Sequence, residues 1–313
     1  MNVQISPLSS ADVPATVALA STALPVEAIS PEKFARYVLL DGSFDAGAAL
    51  VAKVGPTVAG FVYAPARTPG VDAEDARRGY ITLIAVDERF RNQGLATRLV
   101  ASAERSLRAR ARSVALVSPY GPAYFTPGID VAAYPQAVAL FAKLGYTEVY
   151  RPISMRLDLA AVVEPSWVHD KRRALATAGG KVEPFRVEFT RPILDFARRE
   201  FGIDWHDVYR QTMLEIVRGS ASPGRISVAH CDGTVLGISH FDGERFGPIG
   251  VAASARSRGI GHLLMFETLR QQALTGHRVA WFLWSDDRTA RRLYDAAGFT
   301  ESRRFVAMKK PLA

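Results

Sequence analysis

The sequence contains one cysteine, Cys231, and six histidines. A single thiol excludes an intramolecular disulfide and is typical of proteins from a reducing compartment. The histidines form no His-x-x-x-His pair and no cluster with cysteine, so no metal site is predicted. No uncharged apolar run reaches about 18 residues, and the N-terminus lacks a basic segment followed by an apolar block. We therefore expect a cytoplasmic protein with no metal ion, no membrane span and no secretory signal.

Three sequence signatures of well-known enzyme classes are also absent. There is no Gly-x-Ser-x-Gly elbow, which argues against a serine hydrolase. Two glycine turns occur, RNQGLATRL (91–99) and RSRGIGHLL (256–264), and neither has the Gly-Lys-Ser/Thr ending of a P-loop. The second turn lacks the third glycine of a dinucleotide site, and no series of parallel strands is predicted around either turn. Triphosphate hydrolysis and dinucleotide binding are therefore not predicted.

The chain is poorer in acidic than in basic residues, with 31 Asp and Glu against 39 Lys and Arg and a net charge of +8. The basic residues are mainly arginines spread along predicted helices and mixed with acids, as in HDKRRAL. No block of five or six like charges occurs, so nucleic-acid binding is not predicted. The charge favours a basic cleft for an anionic small molecule, such as a phosphorylated cofactor.

The sequence contains an internal repeat. GYTEVYRPISM (145–155) aligns without gaps with GFTESRRFVAM (298–308), and TVAG (57–60) corresponds to TVLG (234–237). These matches keep the same order around the two glycine turns. A length of 313 residues accommodates two domains of ordinary size. We infer a tandem duplication of one domain.

Each copy has the same predicted order of elements. Two alternating strands and a third, apolar strand precede the glycine turn; a long helix, a strand, a second helix and a closing pair of strands follow it. In the first copy the closing pair is 147–150 and 153–159. The predicted fold class is α/β (α+β): two tandem domains, each with a mixed, mainly antiparallel sheet flanked by helices. The predicted boundaries are 1–160 and 182–313, joined by a connector at 161–181.

The repeated turn has the chemistry of an anion site. The first N–H groups of a helix have no partner within the helix, and the helix dipole places partial positive charge there. Glycine lets the backbone approach a phosphate closely. Arg91 in the first copy, and Arg256 and Arg258 in the second, add full positive charge. The motif by itself is also compatible with an ordinary tight turn.

The order of elements around Arg-x-x-Gly-x-Gly/Ala resembles that of the GNAT acetyltransferase superfamily, over nearly the whole chain and in two copies. In that family the turn wraps the pyrophosphate of acetyl-CoA, and the preceding strand hydrogen-bonds the pantetheine arm. The resemblance therefore implies acetyl-CoA as the cosubstrate. It implies a second-copy set of cofactor-binding residues: Val251, Arg256, Ser257, Arg258, Gly259, Ile260 and Gly261, together with Asp287. The first-copy set is Val86, Arg91, Asn92, Gln93, Gly94, Leu95 and Ala96.

The family's second signature, Asn-x-x-Ala-x-x-x-Tyr, reads DRTARRLY and ends at Tyr294 in the second copy. The resemblance implies that Tyr294 is the general acid that protonates the departing CoA thiolate, a transfer that the pKa of a phenol allows. The alternative is a tyrosine whose ring packs in the core. In the first copy Phe141 occupies the corresponding position, 50 residues after Arg91, whereas 38 residues separate Arg256 from Tyr294. The N-terminal domain is therefore predicted to be non-catalytic and the C-terminal domain catalytic.

Acetylation of an ammonium group also requires a base. The third strands of the two copies, ITLIAV and GPIGV, contain no carboxylate. His240, Asp242 and Glu244, in SHFDGERFG, are the candidate bases, and the ordinary pKa of the imidazole suits that role best. The alternative for each of them is a solvated loop position, which the segment favours, and a water chain without a dedicated base is a further alternative.

These observations predict an acetyl-CoA-dependent N-acetyltransferase, in which a primary amine attacks the thioester directly in a ternary complex. Backbone N–H groups of strand 247–251 would stabilise the oxyanion. The alternative is a non-enzymatic acyl-CoA-binding or interaction protein with degenerate domains, motivated by Phe141 and Ala96 in the first copy. A peptide or protein N-acetyltransferase is a third interpretation. The expected partners are acetyl-CoA and an amine, without a membrane or nucleic acid.

Overall fold

The structure is a computed structural model that describes residues 2–68, 70–117, 120–121, 124–285 and 289–312. The chain forms two compact units. Unit 1 consists of Met1–Pro152 together with Arg304–Ala313, and unit 2 consists of Ile153–Arg303. Each unit therefore contains one of the two glycine turns.

Unit 1 has four helices and eight strands of its own in the described residues. The helices are α1 (Val13–Ala23), α2 (Pro31–Phe34), α3 (Leu95–Ala109) and α4 (Pro135–Lys143). The strands are β1 (Gln4–Pro7), β2 (Ala49–Val54), β3 (Thr57–Tyr63), β4 (Arg78–Tyr80), β5 (Leu83–Val86), β6 (Val114–Val117), β7 (Ile129–Asp130) and β8 (Thr147–Tyr150).

The main sheet of unit 1 is antiparallel, in the order β1-β2-β3-β5. Gly55 adopts the left-handed conformation, at φ +57°, in the turn that joins β2 to β3. The strands alternate in the direction of their side chains, so the sheet buries apolar residues on both faces. Val62 belongs to the core cluster beneath α3, and Phe61 to the cluster that contains Phe34 of α2.

Among the described residues, unit 2 contains five helices and six strands. Its helices are α5 (Ser166–Thr177), α6 (Thr190–Phe201), α7 (Ile203–Val217), α8 (Ile260–Leu274) and α9 (Thr289–Asp295). Its strands are β9 (Ile153–Asp158), β10 (Gly180–Pro184), β11 (Ile226–Cys231), β12 (Thr234–Asp242), β13 (Arg245–Val251) and β14 (Val279–Ser285). The sheet order is β10-β11-β12-β13-β14-β9, antiparallel except for the parallel pair β13 and β14.

The closing strands of the two sequence copies are exchanged. β9 lies in the first copy but pairs antiparallel with β14 of unit 2. The last strand, β15 (Thr300–Pro311), lies in the second copy, but its residues from 305 onward pair with β6, β7 and β8 of unit 1. The predicted hairpin within the first copy and the predicted boundaries 1–160 and 182–313 therefore differ from the observed units. The physical reason is that the two closing strands occupy equivalent positions, with Met155 aligned to Met308 in the repeat, and each is buried in the unit of the other copy.

The predicted fold class is confirmed, because each unit has a mixed, mainly antiparallel sheet flanked by helices. The predicted connector, 161–181, contains α5, which packs within unit 2 against α8. No helix in the described part of the chain is long and apolar enough to cross a membrane.

Candidate functional site

In unit 1, the chain separates from its parallel neighbour β6 just before the first glycine turn. β4 pairs in parallel with β6, and the Ile81 N–H still donates to the Leu116 carbonyl at 2.7 Å. The next N–H, of Thr82, donates to Tyr63 O at 3.0 Å instead, and β5 then pairs with β3. Among the described residues, β5 has no strand on its other side. Its free edge can therefore hydrogen-bond an extended ligand.

Unit 2 has a corresponding divergence. β13 and β14 share a single parallel register position, Arg245 with Trp281, and the Trp281 N–H donates to Glu244 O at 2.9 Å. Beyond that position the strands separate towards Val251 and the second glycine turn. Both sequence copies therefore produce a split pair of parallel strands that leads into a glycine turn.

The first turn is open. The Arg91 guanidinium Nε donates to Val86 O at 3.1 Å, which leaves the end of the side chain exposed. Asn92 and Gly94 adopt positive φ, at 60° and 77°, and α3 begins directly afterwards at Leu95. A Cβ built on Gly94 would meet no atom within 4 Å. Exposed N–H groups at a helix start, beside an arginine and an open space, fit a phosphate.

The second turn has the same backbone but is covered. Arg256 Nε lies 3.4 Å from Val251 O, and Gly259 has φ +82° at the start of α8. A Cβ built on Gly259 would lie 2.9 Å from the Lys171 Cγ and Cδ atoms. On the same helix, α5, the Trp167 ring packs edge-on against His262 with centroids 4.9 Å apart. Helix α5 thus fills the space beside Gly259, whereas the corresponding space beside Gly94 is open.

The structure brings each predicted set of cofactor residues together at one strand end and helix start. The first set comprises Val86, Arg91, Asn92, Gln93, Gly94, Leu95 and Ala96. The second comprises Val251, Arg256, Ser257, Arg258, Gly259, Ile260 and Gly261. Asp287, predicted with the second set, lies outside the described residues.

The predicted acid, Tyr294, has its ring in the aromatic core of unit 2. Only 8% of the residue is exposed, and its ring centroid lies 4.3 Å from that of Phe282, 5.6 Å from Phe299 and 6.1 Å from Phe246. This placement agrees with the core-tyrosine alternative for the ring. Its first-copy counterpart, Phe141, is 1% exposed and packs edge-on against another aromatic ring.

Two of the candidate bases, His240 and Asp242, are engaged in unit 2. His240 is 4% exposed; its Nδ1 lies 3.2 Å from Gly247 O and its Nε2 lies 2.8 Å from the Thr212 hydroxyl. Because a carbonyl only accepts, Nδ1 carries the proton that is donated to Gly247 O. The Thr212 hydroxyl beside Nε2 also lies 3.0 Å from the Val208 carbonyl, to which it can donate. Burial lowers the pKa of His240 to about 4. Asp242 forms an ion pair with Arg225 at 2.9 Å.

The neutral, buried His240 leads to a pH prediction. The pKa is about 6.5 in an unfolded chain and about 4 in the folded one, so the folded state resists protonation. Above pH 6.5 the imidazole is neutral in both states and this contribution to the free energy of unfolding is complete. As the pH falls towards 4, the unfolded chain binds the proton first, and the free energy of unfolding decreases by about 3 kcal/mol. Urea unfolding at pH 7.5 and 4 should show a larger loss for the wild type than for His240→Gln. Equal losses in the two proteins would contradict this role.

One polar group near the first split was not predicted from the sequence. The hydroxyl of Thr82, between β4 and β5 where the chain leaves β6 and joins β3, is buried and has no hydrogen-bond partner among the described residues. Buried hydroxyls normally have a partner. A threonine within ITLIAV gives no sequence signal, because threonine is a common strand residue. No group of three or more His, Cys, Asp or Glu side chains in the described ranges is arranged to hold a metal ion.

Comparison with known proteins agrees with the two split sheets and their glycine turns. Residues 18–123 match the model of the Acetyltransferase (GNAT) family. No curated protein matches the sequence.

Three solved structures illustrate the structural likeness. A GCN5-related N-acetyltransferase from Sphaerobacter thermophilus superposes with a TM-score of 0.73 at 20% identity, over 99% of this chain and 96% of that one. A tandem GNAT protein from the clavulanic acid biosynthesis pathway gives 0.65 at 17% identity, over 100% and 99%. A glucosamine N-acetyltransferase region in a fungal GH3 β-N-acetylglucosaminidase gives 0.82 at 16% identity, over 99% of this chain but only 38% of that one. Residues 18–123 thus match the GNAT family model, and the fold of the chain as a whole is similar to that of these three structures.

Proposed function

We propose that the protein is an acetyl-CoA-dependent N-acetyltransferase whose cofactor binds at the first glycine turn, in unit 1. The observation that carries this proposal is the open space beside Gly94, at the end of a split strand pair. The equivalent space beside Gly259 is filled by the side chain of Lys171. The family match supports the same assignment, because it covers 18–123.

The residues at the first turn suit the charge of the cofactor. Its pyrophosphate would accept hydrogen bonds from the N–H groups at the start of α3, where the helix dipole adds partial positive charge. The terminal nitrogens of Arg91 would add a charge-assisted contact. The free edge of β5, up to Val86, would pair with the amide groups of the pantetheine arm. When bound, acetyl-CoA supplies the activated acetyl group.

Acetyl transfer is thus assigned to unit 1, whereas the sequence predicts a catalytic C-terminal domain. In unit 2, Tyr294 has its ring among aromatic side chains, and a histidine with a pKa near 4, such as His240, is a weak base at neutral pH. In unit 1, Phe141 has no proton to donate. We therefore propose that the neutral acceptor amine attacks the thioester directly, so that a C–N bond forms, the C–S bond breaks and the amine proton passes to water. The thiolate leaves without a phenolic acid, because thiols are already fairly acidic.

We further propose that the Thr82 hydroxyl donates a hydrogen bond to the acetyl oxygen as charge develops on it. A buried hydroxyl without a partner costs about 1–3 kcal/mol, so a ligand that enters the split and accepts from it would recover that energy. Preorganised donors of this kind typically contribute about 10²-fold or more to turnover.

Thr82→Val is expected to lower kcat by about 100-fold with little change in acetyl-CoA affinity, because it removes one donor and keeps the shape. Release of free thiol with a reactive amine measures kcat, and calorimetry measures binding. Thr82→Ser, which retains the hydroxyl, is the matched control and should keep most of the activity. An unchanged kcat in Thr82→Val, with equal or higher stability, would assign the hydroxyl no catalytic role.

The acceptor is proposed to be a primary amine. A panel of amino sugars, diamines, amino acids and short peptides, assayed by thiol release, tests this class and separates a peptide acetyltransferase from a small-molecule one. Glucosamine belongs in the panel because it is named in the description of the fungal neighbour.

A non-enzymatic acyl-CoA-binding protein is the second candidate. Phe141, in place of a phenolic acid, favours it, because this substitution removes a proton donor without disturbing the core. Tight binding of acetyl-CoA with no thiol release from any amine in the panel would support this candidate over the enzyme.

A further inference from the structure

Unit 1 contains a cleft of about 420 Å³ between β1 and the flank of α3. One wall is the β1 end of the sheet and the other is a face of α3. The lining residues are Ile5, Ser6, Pro7, Gly47, Leu50, Arg98, Ala101, Ser102, Arg105 and Ser106. None of them is acidic, and two are arginines.

The two arginines have no carboxylate partner among the described residues. Arg98 donates to the Val3 carbonyl at 3.0 Å, and Arg105 donates to the Ser102 hydroxyl at 2.8 Å. The nearby carboxylate of Asp45 accepts from the Gly47 N–H at 2.7 Å. Two cations that face one cleft repel each other, and an anion would relieve that repulsion.

The spacing of the arginines indicates an elongated ligand. Arg98 and Arg105 are seven residues apart on α3, so their Cα atoms are separated by about 10 Å along the helix axis. Ser102 lies one turn after Arg98, and its hydroxyl accepts the hydrogen bond from Arg105. A ligand with an anionic group at each end of a polar spacer would match this order.

The cleft is separate from the proposed cofactor position. It lies beside β1, whereas the split lies beside β5, and these strands are at opposite ends of the sheet β1-β2-β3-β5. A ligand in the cleft and a cofactor at the Gly94 turn would therefore contact different sides of α3.

We propose that this cleft binds a small molecule with two anionic groups, phosphate or carboxylate, through Arg98 and Arg105. The proposal does not depend on the acetyltransferase activity. Calorimetric titration of the full chain with fructose 1,6-bisphosphate, citrate and inorganic phosphate tests it. The bisphosphate or the citrate is expected to bind at least 10-fold more tightly than inorganic phosphate, and the better of the two identifies the anionic group.

The double variant R98Q/R105Q should weaken binding of the better ligand by at least 10-fold. The charge-matched control, R173Q/R191Q, removes two exposed arginines of unit 2 and should leave binding unchanged. Thermal unfolding checks the fold, and R105Q alone replaces the double variant if the latter unfolds. Saturating acetyl-CoA should not displace the ligand. The proposal is overturned if neither ligand binds, if the control weakens binding equally, or if acetyl-CoA displaces the ligand.

Discussion

Arg91→Glu is expected to weaken acetyl-CoA binding by about 100-fold, whereas Arg256→Glu should leave it within about twofold. Both arginines are exposed, and each has Nε directed at the carbonyl of the last residue of the preceding strand, Val86 or Val251. Each substitution therefore removes one exposed arginine and one contact to a strand carbonyl, and the two should change the local structure to a similar extent. Only the presence of a pyrophosphate beside one of them makes their effects differ.

The size of the effect follows from charge. A glutamate at position 91 replaces an attraction to a doubly charged pyrophosphate with a repulsion at the start of α3. A 100-fold change in affinity corresponds to about 2.7 kcal/mol, within the range of one charge-assisted hydrogen bond. Calorimetry with the full chain provides the affinity and the stoichiometry, and one acetyl-CoA per chain is expected. The effect should decrease as salt is added.

Loss of acetyl-CoA binding in Arg256→Glu but not in Arg91→Glu would indicate that the cofactor binds in the C-terminal domain, as the sequence predicts. If Arg256→Glu abolishes binding and Arg91→Glu does not, the Lys171 side chain must move away from Gly259 when the cofactor enters. Tyr294→Phe would then be expected to lower turnover with little loss of affinity, as the sequence predicts. Under the unit 1 proposal, Tyr294→Phe leaves the chemical step unchanged.

Met308→Ala is expected to destabilise unit 1, and Met155→Ala to destabilise unit 2, each by about 2–5 kcal/mol. Met308 is 4% exposed in the core cluster beneath α3, and Met155 is fully buried in the cluster that contains Phe282. The two residues align in the sequence repeat. The exchange of strands means that each substitution should affect the unit opposite to its own sequence copy.

Amide hydrogen exchange, located by proteolysis, measures which unit loses protection in each variant. Met308→Ala should lower the protection of β2 and β3 and spare β11 and β12, and Met155→Ala should do the reverse. Each variant is the matched control for the other. Loss of protection in the unit of the same sequence copy would refute the exchange of strands.

A second set of contacts fixes the last strand in unit 1. Lys310 Nζ lies 2.9 and 3.1 Å from the two carboxylate oxygens of Glu104, whose side chain is only 8% exposed. Tyr146 donates to the same carboxylate at 3.1 Å. A buried carboxylate requires such partners, so the chain terminus and α3 stabilise each other.

The sequence by itself determined the local features of this protein. The period of the apolar residues predicted the long helix after each turn, and α3 and α8 begin at Leu95 and Ile260 as the turns require. The glycines marked positive φ because other residues reach that conformation at a cost. The repeat predicted two units of one fold. These features depend on neighbours in the chain, which is why the sequence reveals them.

Only the tertiary structure decided which partners each repeated element has. Two closing strands of similar sequence fit either sheet, and their exchange depends on the whole fold. Within unit 2 the Lys171 side chain of α5 covers Gly259, whereas within unit 1 no atom lies within 4 Å of a Cβ built on Gly94, although the two turns have the same backbone. The placement of the Tyr294 ring among aromatic side chains, and of the Thr82 hydroxyl without a partner, results from contacts distant in sequence. The duplication made the two turns alike in sequence, and long-range packing made them different.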